Sequence, residues 1–97
     1  SAIGDGAGGL IVAWQDFSDD DGDILAQRLS RNGQRLWGEN GRIVYRGNRL
    51  QSNPLLVSDQ SNGVFIIWQD ERSRSEDIYA QHLSASGERL WNAAGVA

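Results

Sequence analysis

An internal repeat with an offset of 54 residues dominates the sequence. Aligned without a gap, residues 5–43 and 59–97 are identical at 16 of 39 positions, far more than chance would give. A fixed period of this size indicates a repeat architecture. We therefore divide the chain into two equivalent units, 1–43 and 55–97, joined by a connector at 44–54. Because the chain begins at Ser1 and has no Met, we expect it to be an excerpt or a processed product.

Each unit has the pattern of short antiparallel strands. The strongest strand covers residues 10–15 and 64–69 and is apolar at successive positions, which predicts burial on both sides of a sheet. Gly-rich and Asn-Gly turns separate the strands. Pro54 is expected at the start of a strand and not inside one. The predicted strands, four per unit, include 10–15, 24–29 and 34–37 in the first unit and 55–57, 64–69, 78–83 and 88–91 in the second.

Composition excludes several classes of function. The net charge is −4, which argues against a nucleic-acid surface. There is no Cys for a disulfide or a thiolate metal site. No apolar run approaches the ~20 residues that a membrane-spanning helix needs. We expect no cofactor, because neither a phosphate-binding Gly loop nor a metal-ligand spacing is present.

A four-stranded antiparallel unit that is buried on both faces is what a β-propeller blade requires. The motifs W-Q-D, D-I-x-A-Q-x-L and G-x-R-L-W, each present twice, resemble a blade repeat of secreted and surface proteins of bacteria. The resemblance covers nearly the whole chain. It implies an all-β fold of two four-stranded antiparallel β-propeller blades, a half or a third of a propeller, and favours an extracellular or cell-surface location. It gives no information on a ligand.

Antiparallel connectivity places the loop after each central strand on the same side as the connector. These are the longer and more variable loops, so this side is the candidate ligand-binding face. An Arg beside an aromatic residue on an exposed connector could contact a glycan or an acidic partner. The candidate residues are Asp16, Asp19, Asp21, Asp23, Tyr45, Arg46, Arg49, Arg72 and Arg74.

Four Asp residues recur at the ends of the predicted strands. We expect Asp16, Asp23, Asp70 and Asp77 to accept backbone N–H bonds and to hold the loop ends, as Asp does in turns. The run 19–23 contains alternate carboxylates and a Gly, as calcium loops do. Its spacing differs from the EF-hand pattern, and we interpret it as a solvated acidic loop.

Trp14, Trp68, Trp37 and Trp91 recur on apolar strands, which favours a structural role in the core over a sugar platform. His82, the single His, is interpreted as a polar strand position, and no nucleophile has a His in a readable triad.

We therefore expect a non-catalytic propeller repeat module that acts as a scaffold or a ligand-binding surface. Two alternatives stay open: a lectin-like glycan binder formed by head-to-tail oligomerisation, and a fragment of a propeller hydrolase whose catalytic residues lie outside this chain. Two blades leave two outer faces uncovered, and we expect residues such as Ile11 and Ala13 or Val64 and Ile66 to line them. These faces predict a homo-oligomer, with a trimer favoured and a tetramer possible, or neighbouring blades of a longer chain.

Overall fold

The computed structural model describes residues 1–17, 23–47, 51–73 and 76–97, and these form strands and turns without a helix. A helix long and apolar enough to cross a membrane is therefore not found in these four ranges. The strands are β1 (Ala2–Gly4), β2 (Leu10–Asp16), β3 (Asp23–Leu29), β4 (Arg42–Tyr45), β5 (Gln51–Ser58), β6 (Val64–Asp70) and β7 (Asp77–Leu83).

The strands form two antiparallel sheets, one for each repeat. The first sheet has the order β1-β2-β3-β4 and the second the order β5-β6-β7. The prediction of four strands per unit is therefore correct for the first sheet only. In the second sheet, a single bridge between Ala80 and Val96 lies at the position of the β3–β4 pair Ala26 and Arg42 in the first.

The central strands lie where they were predicted, but the last predicted strand of each unit does not form. Within the predicted strand 88–91, only Arg89 forms a bridge, to Leu83. Within the predicted strand 34–37, only Arg35 forms a bridge, to Leu29. The chain then turns at Gly38 and Gly41, which have φ angles of 89° and 85° that disfavour other residues. After these turns it pairs with β3 as β4, so the pairing strand begins inside the first unit and ends in the connector.

Pro54 lies inside β5, which corrects the expectation that it begins a strand. The register of β5 against β6 shifts between Ser52 and Leu55, and Asn53 in this gap has a φ of 54°. Since β5 is an edge strand, this bulge lets the chain pass through a residue that has no N–H to donate.

The core lies between the two sheets. Residues paired across antiparallel strands share a face, so the inner face of the first sheet carries Ile11, Ala13, Ile24 and Ala26. The inner face of the second sheet carries Val64, Ile66, Trp68 and Leu83. These eight side chains are at most 4% exposed and belong to one hydrophobic cluster.

The residues expected on the uncovered faces are therefore the core, and their neighbours along the strands are outside. The outer face of the first sheet carries Leu10, Val12 and Trp14, and that of the second carries Phe65, Ile67, Ile78 and His82. Because the central strands are apolar on both faces, the sequence pattern does not indicate which face of each sheet packs against the other sheet. Among the described residues, each sheet has an outer face with exposed apolar side chains, such as Trp14 on the first and Ile78 on the second.

Candidate functional site

The strand ends that flank the loops of the candidate face lie together at one edge of each sheet. At this loop edge, Asp16 pairs with Asp23 and Ile24 with Tyr45 in the first sheet. In the second sheet, Asp70 pairs with both Gln51 and Asp77 at the corresponding strand ends.

Arg72 connects the two sheets at the loop edge. Its guanidinium carbon lies 3.9 Å from the centre of the Tyr45 ring and 3.7 Å from that of Tyr79. Tyr45 also stacks on Trp68, with ring centroids 5.9 Å apart. The guanidinium donates to Asp70 Oδ2 at 2.6 Å and to the Ala94 carbonyl at 2.7 Å. Arg72 is thus held by a carboxylate, a carbonyl and two aromatic faces, which is a structural arrangement.

Asp70 is fully buried beneath this arginine. Burial disfavours its charged form, but hydrogen bonds from Arg72, the Trp68 indole N–H (3.0 Å) and the Arg72 backbone N–H (2.8 Å) outweigh this, so the pKa of Asp70 lies below its ordinary value of 3.8. For Arg72, burial opposes the charge and the Asp70 carboxylate favours it, and the pKa of the guanidinium is raised overall. The two groups form an ion pair whose carboxylate is fully buried.

Asp23, the first residue of β3, is a second buried carboxylate that pairs with an arginine at the loop edge. Its side chain is 1% exposed and accepts from Arg46 Nε at 2.9 Å and from the Gly47 N–H at 3.3 Å. The Arg46 side chain is 49% exposed, so it pairs with Asp23 and still reaches solvent. Asp16 is half-buried, and Asp77 accepts from the Ser73 hydroxyl.

The remaining predicted site residues, Asp19, Asp21, Arg49 and Arg74, lie outside the described residues. Among the residues that are described, no group of three or more His, Asp or Glu side chains could hold a metal ion. Of the predicted cationic and aromatic residues, Tyr45, Arg46 and Arg72 therefore lie in the described part of the loop edge.

Sequence reasoning missed an interaction at the opposite edge, which we call the turn edge. Asp5 Oδ1 accepts the N–H groups of Ala7 (2.7 Å) and Gly9 (2.9 Å), and Asp59 Oδ1 accepts those of Ser61 (2.7 Å) and Gly63 (2.8 Å). The identity of Asp5 and Asp59 in the repeat alignment is the signal that could have found it.

The second oxygen of each of these aspartates holds a cross-strand partner. Asp5 Oδ2 accepts from Arg28 Nε at 2.9 Å, and Asp59 Oδ2 lies 2.8 Å from His82 Nε2. The backbone N–H of Ala7 and the Arg28 guanidinium lower the pKa of Asp5, and the His82 hydrogen bond is the main cause that lowers the pKa of Asp59. Arg28 also reaches across to the second repeat, where Nη1 donates to the Ala85 carbonyl at 2.8 Å.

The four tryptophans expected in the core fall into two pairs. Trp37 and Trp68 are 0% and 1% exposed, whereas Trp14 and Trp91 are 36% and 39% exposed. The physical reason is position, because Trp14 and Trp91 lie on the sides of the two sheets that no other part of the described chain covers.

The two C-terminal tryptophans of the repeats are nevertheless held in the same way. Gln27 Oε1 accepts the Trp37 N–H at 2.8 Å, and Gln81 Oε1 accepts the Trp91 N–H at 3.0 Å. The indole N–H of Trp37 donates to the Ala85 carbonyl of the second repeat at 3.0 Å.

In comparisons with protein-family models, with curated proteins and with solved structures, nothing matches this chain.

Proposed function

We propose that the protein is a non-catalytic β-propeller repeat module that acts as a scaffold and presents its loop edge as a ligand-binding surface. One observation carries the proposal: two sheets of equivalent sequence stack with non-equivalent faces in contact. The offset of 54 takes Ile11 and Ala13 of one inner face onto Phe65 and Ile67, which are outside. A stack related in this way can be continued by further units.

The proposed assembly is a homo-oligomer that closes into a ring. Three chains would supply six blades and are favoured, while four would supply eight. The same joints would serve neighbouring repeats in a longer chain. The exposed apolar side chains support association, since Ile78 and Leu55 are 56% and 60% exposed on the second sheet and Trp14 is 36% exposed on the first.

Size-exclusion chromatography coupled to light scattering tests the assembly. We expect a folded species with three times the mass of the 10.7 kDa chain, and a fourfold mass would indicate the larger ring. A stable, folded monomer at every accessible concentration would contradict the proposal.

The loop edge is proposed to bind a glycan or a protein at the cell surface. Arg46 supports this, because its guanidinium is anchored on buried Asp23 while half of the side chain faces solvent. A glycan array probed with the assembled protein tests the lectin-like form of the proposal. Binding that is lost in Arg46→Ala and retained in Arg89→Ala, an exposed arginine of the turn edge, would support it. If no glycan binds, the lectin-like form of the proposal is contradicted, and the proposed ligand of the loop edge is a protein.

A further inference from the structure

The two open faces of the chain are complementary to each other, because each is the repeat equivalent of a face that is already covered. Trp14 on the outer face of the first sheet corresponds to Trp68, which is buried, and Ile78 on the outer face of the second corresponds to Ile24, which is also buried. The chain thus contains one complete joint between sheets and, at its two outer faces, the two halves of a second joint.

The turn edge shows what the complete joint contains. Trp37 of the first repeat packs on the turn 84–87 of the second, so closely that a Cβ on Gly87 would lie 2.8 Å from its ring. Its indole N–H donates to the Ala85 carbonyl at 3.0 Å. Close approach of the ring therefore depends on a glycine at position 87, whose φ of 85° also favours glycine.

The two halves of the second joint contain the equivalents of this tryptophan and this turn, but within the described chain the two do not contact each other. Trp91 is 39% exposed, and within the described residues its indole N–H has no acceptor. Gly33, the equivalent of Gly87, has the same φ (84°) and nothing within 4 Å of an added Cβ. The carbonyl that corresponds to that of Ala85 belongs to Arg31, an exposed residue of this turn.

The sheet faces match in the same way. The outer face of the second sheet has a mostly apolar hollow of about 180 Å³, bordered by Leu55, Ile67 and Ile78. The equivalents of Ile67 and Ile78 in the complete joint are Ala13 and Ile24, which share a buried cluster with Trp68. Trp14 is the counterpart of Trp68 on the open face.

We infer that a second copy of this chain docks head to tail, with the Trp14 face of its first sheet on the Ile67 face of the second sheet and with its Ser30–Gly33 turn against Trp91. The Trp91 indole N–H donates to the Arg31 carbonyl of that second copy, as Trp37 does to Ala85 within the chain. The inference rests on the proposed assembly and specifies which surfaces form it.

The contact is heterologous, so two differently blocked variants should complement each other. Trp14→Glu blocks one half of the joint and Ile78→Glu the other, and both positions are exposed enough for the fold to accept a charge. We expect each variant alone to be a folded monomer and an equimolar mixture to form a one-to-one heterodimer, measured by light scattering and native mass spectrometry.

The possible outcomes separate this inference from the proposed function. Wild-type protein that stays monomeric overturns both. Wild-type oligomer with either single variant still fully oligomeric overturns the head-to-tail joint alone, since it would indicate a two-fold contact of like faces. The absence of a heterodimer in the mixture, when both variants are folded monomers, also overturns the joint alone.

Two further pairs of variants test the contact of Trp91 with the Ser30–Gly33 turn of the second copy, independently of the sheet faces. Asn accepts a positive φ, so Gly33→Asn should leave the fold intact by circular dichroism and abolish oligomers, whereas Gly87→Asn should unfold the chain. Trp91→Phe keeps an aromatic side chain but loses the indole N–H and part of the ring surface, and we expect association to be weaker by roughly tenfold or more. Its twin Trp37→Phe should lower the stability of the fold instead. Unchanged association in both Gly33→Asn and Trp91→Phe would overturn the inferred contact between Trp91 and this turn.

Discussion

Arg72 and Asp70 show how single side chains at the loop edge depend on one another. Asp70 is fully buried, and Arg72 is its main partner. We expect Arg72→Gln to lower the free energy of unfolding by about 3 kcal/mol, because it leaves a buried carboxylate without its counter-charge. Arg89→Gln, at an exposed position, is the control and should cost less than about 0.5 kcal/mol. Urea unfolding followed by circular dichroism measures both, and equal small losses would contradict a buried ion pair.

Acid should destabilise the fold through Asp5, Asp59 and Asp70. The pKa of each carboxyl is lower in the folded chain than its ordinary value of 3.8. A lowered pKa means that the unfolded chain binds protons first as the pH falls. The stability that these groups contribute is thus complete above the unfolded-state pKa and is lost as the pH falls through 3.8 toward the folded-state values.

Unfolding free energies measured from neutral to strongly acidic pH check this dependence. We expect Asp59→Asn, which lacks the titrating carboxyl, to show a shallower decrease than wild type in the acidic range. An equally steep decrease would mean that Asp59 does not contribute to the acid sensitivity.

At the scale of secondary-structure elements, the turn between the first two strands of each sheet ends at a glycine that has no room for a side chain. A Cβ on Gly9 would overlap the carbonyl oxygen of Leu29, and one on Gly63 that of Leu83. We expect Gly9→Ala and Gly63→Ala each to cost about 1–3 kcal/mol, since the backbone must move. Gly4→Ala is a matched control, because nothing lies within 4 Å of an added Cβ there. Thermal unfolding compares the three, and a control as damaging as the others would contradict a steric cause.

The sequence predicts the central elements closely because their signals are local. The bounds of β2, β3, β6 and β7 lie within one residue of the predicted strands, since apolar alternation and turn residues mark both ends. A strand was predicted at 34–37 because Leu36 and Trp37 have a strand-like pattern. In the structure, the hydrogen bond of Trp37 to Gln27 and the turns at Gly38 and Gly41 determine the path of the chain, so the pairing strand begins later. Such tertiary contacts have no local signal.

At the scale of the whole molecule, the sequence does not reveal which face of each sheet is inside. Both repeats have the same pattern, yet Trp68 is buried and Trp14 is not. The loop edge was predicted from connectivity alone, but the Arg72 contacts with two tyrosines and Asp70 join separate elements and could not be read from spacing. The stack of the two sheets, which brings non-equivalent faces into contact, is what gives the two tryptophans different burial.

This broken equivalence gives a prediction for the two tryptophans. In the Ile78→Glu background, which should be monomeric, Trp68→Ala should cost about 3–5 kcal/mol because it leaves a cavity in the core. Trp14→Ala should cost much less, because its side chain is already 36% exposed. Chemical denaturation measures both, and equal losses would contradict the assignment of inner and outer faces.

The uneven burial of the four tryptophans also gives the chain an internal fluorescent reporter. Trp37 and Trp68 are shielded from a soluble quencher such as acrylamide in the folded chain, whereas Trp14 and Trp91 are accessible. On dilution of an assembled sample, emission should change from one shielded population to two populations, one quenched and one protected. Because Trp14 and Trp91 lie on opposite halves of the inferred joint, both should become accessible to the quencher over the same range of protein concentration.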